Sequence, residues 1–173
     1  MSDTVVTPLA EALLECLRVE VAKLAVPPAQ VCLRTGDVVN LLISLNEDEC
    51  CSGLAWVRVA GFYPSTNFPE PMEIPFINNQ FPSWAVELEM GVARCAPTSD
   101  ATHNPTCAQW TGAARAVNDD GQAMRDALCC FIDSGTPPRK GRVLPQLWQP
   151  LTTEGGCTGG IMSVLVRANP CAC

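Results

Sequence analysis

The chain has 173 residues, of which 47% are hydrophobic and 17% are charged, a composition typical of one folded domain spanning 1–173. With 18 acidic residues against 11 basic ones, the net charge is -7, which argues against binding to nucleic acid or to an anionic membrane. The apolar runs are too short to cross a bilayer, and the N-terminal residues do not have the pattern of a signal peptide.

The first predicted element is a helix over 8–25, in which apolar residues recur at helical spacing and form one buried stripe. Thr7 is a good N-cap and Pro8 suits the first helical position, while two further prolines end the helix. A short strand is predicted over 30–34. The continuous apolar run over 38–45 is rich in β-branched residues and predicts a second strand.

Two stronger strands are predicted over 54–62 and 84–95, the second with strict alternation of apolar residues. Between them, the segment 64–83 contains five prolines and has neither helical nor strand periodicity. We therefore expect a long extended arm, and long loops inside compact domains are often functional. Three phenylalanines favour docking of this arm onto another surface, namely Phe68, Phe76 and Phe81.

The C-terminal half predicts helices and one more strand. Thr106 is expected to cap a helix over 107–117, and a second helical piece follows over 118–132, with a kink or break at 118–121. A last strand is predicted over 161–168. This order of elements predicts an α+β fold, in which a small, mostly antiparallel sheet is flanked by two helices on one face.

The 11 cysteines are the unusual part of the composition. Because the number is odd, at least one thiol stays unpaired within the chain or pairs with another chain. No CxxC motif occurs and His103 is the single histidine, so no metal site is predicted. The cysteines are then either small buried hydrophobic residues or are oxidised in an extracellular particle.

No arrangement of residues indicates catalysis or cofactor binding. His103 lies in a loop without a recognisable partner, and the glycine-rich segment 155–160 lacks the lysine and the following helix of a phosphate-binding loop. Glu87 and Glu89 share one face of a predicted strand, but a solvated or inter-subunit sheet face explains them better than acid–base catalysis. We therefore predict no catalytic residues, no cofactor and no enzymatic activity.

Several segments carry a resemblance to a known family. They are CCSGLAWVRV at 50–59, YPS at 63–65, FP at 68–69, WAVELEMGVARC at 84–95, AMRDALCCF at 123–131, WQP at 148–150 and GGCTGG at 155–160. Together they resemble the tail terminators, or head-to-tail connector proteins, of siphophages that infect actinobacteria. The resemblance extends over most of the chain, from about residue 30 to residue 168.

The resemblance implies a structural role in the virion. Tail terminators form a six-subunit ring that caps the tail tube, stops its polymerisation and joins it to the head connector. Their fold is a small sheet flanked by two helices, with a long hairpin arm toward neighbouring subunits. The implied partners are further copies in a homohexamer, the tail tube protein and a connector or stopper protein, at the neck of the virion. DNA would pass through the ring without specific binding, and the acidic charge suits this.

The resemblance also suggests interface residues and disulfides. The arm 64–83 would meet the tube or neighbouring subunits, with a further contact on the polar face of the strand after it. The interface candidates are Tyr63, Phe68, Phe76, Phe81, Glu87 and Glu89. Two bridges are suggested for a virion outside the cell. One joins Cys95 to Cys107, and the other joins the adjacent cysteines Cys50 and Cys51 to the adjacent cysteines Cys129 and Cys130.

Three other interpretations remain open. A head-to-tail stopper or another ring protein of the neck belongs to the same class as the tail terminator. A secreted, cysteine-rich binding module belongs to a different class. A thiol or hydrolytic enzyme is the least favoured, because the sequence offers no setting that would activate a cysteine.

Overall fold

The computed structural model describes residues 3–36, 52–72, 83–99, 104–135, 142–153 and 156–168. Within these ranges the chain forms two helices and five strands. In chain order they are α1 (Val6–Val21), β1 (Gln30–Arg34), β2 (Leu54–Ser65), β3 (Ser83–Cys95), α2 (Cys107–Asp133), β4 (Val143–Pro150) and β5 (Cys157–Ala168).

The five strands form one sheet in the order β1-β2-β3-β5-β4. β1 and β2 are parallel, and the other three neighbouring pairs are antiparallel. Both helices pack against the same face of this sheet. The predicted α+β class is therefore confirmed: a small, mostly antiparallel sheet is flanked by two helices.

The main core lies between the helices and the sheet. Alternate residues of each strand point toward the helices. The apolar side chains on this face of the sheet and those along one face of each helix together form one apolar layer. The largest side chains that are fully buried in this layer are Leu13, Leu17, Val21, Val57, Val86, Leu88, Met90, Val92, Met124, Phe131 and Val164. The opposite face of the sheet therefore points away from both helices.

Helix α1 begins two residues earlier than predicted, because Asp3 rather than Thr7 provides the capping side chain. The Asp3 carboxylate accepts hydrogen bonds from the backbone N–H groups of Val5, Val6 and Thr7, at 3.0, 3.1 and 2.5 Å. These bonds hold the pKa of Asp3 well below its usual value. Pro8 lies in the first turn, where its missing N–H has no cost.

Helix α2 is continuous from Cys107 to Asp133, so the predicted break at 118–121 is wrong. Two side chains from the sheet dock at this point. Asp120 is buried against Arg94, and Gly121 leaves room for Trp148, whose ring would lie 3.2 Å from a Cβ at this position. Asp120 and Gly121 therefore contribute to packing between the helix and the sheet and do not interrupt the helix. The predicted N-cap Thr106 is confirmed, with its hydroxyl accepting from the Gln109 N–H at 3.3 Å.

Strand β4 has no counterpart among the predicted elements. It is an edge strand that contains Pro145 and Pro150, and its pairing with β5 shifts between Pro145 and Trp148. Prolines are tolerated at a sheet edge, where the missing N–H leaves no ladder bond unmade. β5 begins at Cys157, earlier than predicted, because Gly159 and Gly160 belong to the strand. The strand predicted over 38–45 lies outside the described residues.

Candidate assembly interface

The predicted arm connects two antiparallel neighbours at one end of the sheet. β2 ends at Ser65 and β3 begins at Ser83, so the ends of the predicted arm 64–83 belong to strands and the connection itself spans 66–82. Ser65 and Ser83 lie opposite each other, and the Ser83 hydroxyl donates to the Ser65 carbonyl at 2.9 Å. Phe76 and Phe81 lie outside the described residues.

The first part of the connection folds back onto the end of β2. The Tyr63 hydroxyl donates to the Pro69 carbonyl at 2.8 Å, and the Met72 N–H donates to the Pro64 carbonyl at 2.9 Å. Phe68 is half-buried in this turn. Tyr63 thus lies near the end of β2, and its hydroxyl holds the base of the arm in place.

An exposed aromatic pair lies beside the base of the arm. Phe62 is 58% exposed and meets the half-buried Trp84 edge to face, with ring centroids 5.8 Å apart. A register shift between Val59 and Gly61 brings Phe62 onto the face that it shares with Trp84. The sequence pattern carries no sign of such a shift, so Phe62 was not among the predicted interface residues.

Glu89 forms a buried ion pair with Arg58. Its carboxylate accepts two hydrogen bonds from Arg58, at 2.7 and 2.8 Å, and both side chains are about nine-tenths buried on the sheet face away from the helices. Arg58 also donates to the Gly36 carbonyl at 2.9 Å. Glu87 lies on the same face and is half-buried. Of the two predicted interface carboxylates, only Glu87 retains partial exposure.

Trp56 anchors the same face of the sheet. Its side chain is 1% exposed and lies flat over Gly91 on the neighbouring strand, where a Cβ would sit 2.3 Å from the indole ring. Two carbon atoms that are not bonded to each other cannot lie that close. Because Trp56 approaches the backbone so closely, only glycine fits at position 91.

We expect Gly91→Ala to lower the free energy of unfolding by about 3 kcal/mol, because the added methyl group overpacks a buried site. Gly61→Ala is the matched control, since Gly61 lies on the paired strand and a Cβ there meets nothing within 4 Å. Urea denaturation of both variants measures the difference. Equal stability of the two variants would contradict the packing of Trp56 on Gly91.

The described cysteines are partly oxidised. Cys16 and Cys130 form a disulfide that joins α1 to α2 across 114 residues of sequence, and Cys95 and Cys157 are also disulfide-bonded. Among the described residues, Cys32, Cys107 and Cys129 have free thiols.

The suggested bridge between Cys95 and Cys107 is wrong. Cys95 is disulfide-bonded, whereas Cys107 is a free thiol at the exposed start of α2. The residue opposite Cys95 in the register of β3 and β5 is Cys157, which is also oxidised. Cys95 does end a strand and Cys107 does start a helix, but these positions do not make them partners.

The suggested bridge from Cys50 and Cys51 to Cys129 and Cys130 is also wrong. Cys130 bonds Cys16, and Cys129 is a free thiol, so neither of these two cysteines takes part in the suggested bridge. Cys50 and Cys51 themselves lie outside the described residues. Helical spacing places Cys16 on the buried stripe of α1, but the sequence does not say which of the remaining cysteines faces it.

A second buried ion pair ties α2 to the sheet. Arg94 donates two hydrogen bonds of 2.6 Å to the Asp120 carboxylate, whose side chain has no solvent exposure. Burial raises the pKa of Asp120, while the hydrogen bonds and the charge of Arg94 oppose that rise. The pair fixes the position of α2 along β3.

The described part of the chain offers few other functional features. It contains no group of three or more histidine, cysteine, aspartate or glutamate side chains placed to hold a metal ion. None of its helices combines the length and the apolar character that a membrane crossing requires. The single histidine, His103, lies outside the described residues. Comparison of the sequence with protein-family models and with curated proteins finds no match.

Proposed function

We propose that this chain is a structural virion protein, a tail terminator whose ring caps the tail tube and joins it to the head connector. The observation that carries the proposal is the position of the connection 66–82. It joins two antiparallel strands of a small sheet that has both helices on one face, as expected for the arm of this family. A head-to-tail stopper would use the same ring architecture.

Three of the segments that carry the family resemblance lie in the centre of the fold. The segment 50–59 includes the first half of β2, and 84–95 covers nearly all of β3. The segment 123–131 contains the buried turns of α2, including Met124 and Phe131. The part of the resemblance in these three segments lies on core strands and on the helix packed against them, which supports a shared fold.

Charge and oxidation state also support the proposal. A net charge of -7 would reduce trapping of DNA that passes through a ring. Disulfides persist in oxidising surroundings, which a released virion meets and the cytosol does not provide. The proposed location is accordingly the neck of the virion.

Replacing 66–82 by Asn-Gly tests the role of the arm. Since Ser65 and Ser83 lie directly opposite each other, a two-residue turn can close the hairpin and leave the sheet intact. We expect a folded protein that no longer cosediments with tubes assembled from the tail tube protein of the same virus, whereas the wild-type chain does.

Circular dichroism and the unfolding transition serve as the folding control for this variant. A folded variant that binds tubes as well as the wild-type chain does would contradict an assembly role for the arm. Failure of the wild-type chain itself to bind tubes would contradict the proposed function.

A secreted, cysteine-rich binding module is the second candidate, and the oxidised cysteines at Cys16, Cys95, Cys130 and Cys157 favour it. The two candidates differ in self-association. A terminator must assemble with further copies of itself, whereas a binding module has no need to do so.

A further inference from the structure

The first three turns of α2, residues 107–116, lie outside the core. Val117 is the first buried residue of the helix, and the ten positions before it are exposed or half-buried. At 1.5 Å per residue they extend about 15 Å. The Thr106 and Gln109 capping box holds the end of the helix, with the Thr106 N–H donating to Gln109 Oε1 at 2.8 Å. These turns are thus capped at their end and contain no fully buried residue.

An apolar stripe continues along these exposed turns. Trp110 and Ala113 precede Val117 by seven and four residues, so all three lie on one face of the helix. The buried residues Met124 and Phe131 lie on the same face. Trp110 is 47% exposed, although tryptophan is among the side chains most often found as a buried anchor at protein interfaces. Its position at the exposed end of a core-facing stripe indicates that another surface covers it.

A groove of about 310 Å³ lies between the end of α1 and the middle of α2. Its lining includes the apolar residues Leu24 and Ala123 and three carboxylates, which belong to Glu20, Asp119 and Asp126. One cation, Lys23, bonds Glu20 at 2.5 Å. The groove therefore combines apolar side chains with an excess of acidic ones.

The exposed turns and the groove are complementary in charge and size. Residues 107–116 contain no acidic residue, and the N-terminal end of a helix carries a partial positive charge. The groove is net negative by two charges, from three carboxylates and one ammonium group. Its volume is at the lower end of the range for ligand pockets, which suits one aromatic side chain.

We propose that the exposed turns 107–116 of one copy dock into this groove on a second copy, with Trp110 inserted over Leu24 and Ala123. Trp110 and Asp119 are nine residues apart on one straight helix, so a chain cannot fill its own groove. The contact joins different patches on the two copies, and such head-to-tail contacts form rings when the rotation closes. This inference rests on the proposed ring and names the surface that builds it.

Sedimentation velocity over a wide concentration range tests the contact. Trp110→Glu removes the anchor and adds repulsion, and Ala25→Trp fills the groove from an exposed position in its lining. We expect each variant to be monomeric, with self-association weakened by at least about 30-fold, the effect of losing one anchor residue. Leu147→Glu is the matched control, because Leu147 is 76% exposed and lies on β4.

Mixing the two variants gives the sharper result. Trp110→Glu keeps an open groove, and Ala25→Trp keeps the anchor, so each mixed pair can form one contact. We expect a 1:1 heterodimer that grows no further. Wild-type oligomers that persist in both variants would overturn the inference while leaving the proposed ring intact. A wild-type chain that stays monomeric at all concentrations and does not bind tail tubes would overturn both.

Discussion

Removing the disulfide between α1 and α2 is expected to lower the free energy of unfolding by about 4–5 kcal/mol. Cys16 and Cys130 are 114 residues apart, and a cross-link that closes so long a loop restricts the unfolded chain strongly. The variant is Cys16→Ala/Cys130→Ala. For a chain of this length, each kcal/mol shifts the melting temperature by about 2–4 °C, so we expect a decrease of about 10–20 °C.

The matched control for the disulfide is Cys107→Ser/Cys129→Ser, which replaces two exposed free thiols. We expect this control to stay within about 0.5 kcal/mol of the wild-type chain, as exposed substitutions usually do. Calorimetry under non-reducing conditions measures both variants. If the variant without Cys16 and Cys130 had the same melting temperature as the control, the bridge would either not form or not constrain the unfolded chain.

The second large effect is expected from breaking the buried ion pair of α2. Arg94→Met leaves the Asp120 carboxylate buried without its partner, and we expect a loss of about 3–5 kcal/mol near pH 7. The apolar pair Arg94→Met/Asp120→Leu should recover most of this loss, because it leaves no buried charge. Urea denaturation of the single and double variants measures the difference.

The pH dependence of this loss has a defined sign. Arg94 opposes the rise in the pKa of Asp120, so without Arg94 the folded-state pKa rises further. When the pKa of Asp120 is higher in the folded state than in the unfolded state, where it is about 3.9, the folded state binds the proton more tightly. The free energy of unfolding is then highest at low pH and falls as the pH rises. The penalty of Arg94→Met should therefore grow from about pH 4 upward. A penalty that is independent of pH would contradict the burial of an ionised Asp120.

Local patterns predicted the regular elements well. β3 was recognisable because its apolar residues alternate along most of its length, and α1 because its apolar residues follow one helical stripe. The predicted break at 118–121 failed for a tertiary reason. The partners of Asp120 and Gly121 are Arg94 and Trp148, which come from distant strands, and no local pattern reveals such contacts.

The predicted interface depended on features that sequence periodicity does not encode. The segment 64–83 was recognisable by its prolines, but the register shift that places Phe62 beside Trp84 was not. The exposure of Trp110 could not be predicted from the sequence, because it depends on how far α2 extends beyond the core. Disulfide partners depend on helix packing, which is why Cys130 was paired with the wrong cysteines.

Electron microscopy of tail tubes tests the tail-terminator assignment most directly. Tube protein of the same virus would be assembled with and without the chain, and the tube ends and lengths would be compared. The account predicts that one end of each tube carries a ring of about six subunits and that growth stops there. Tubes with bare ends and unchanged lengths, at chain concentrations above those of the tube protein, would contradict it.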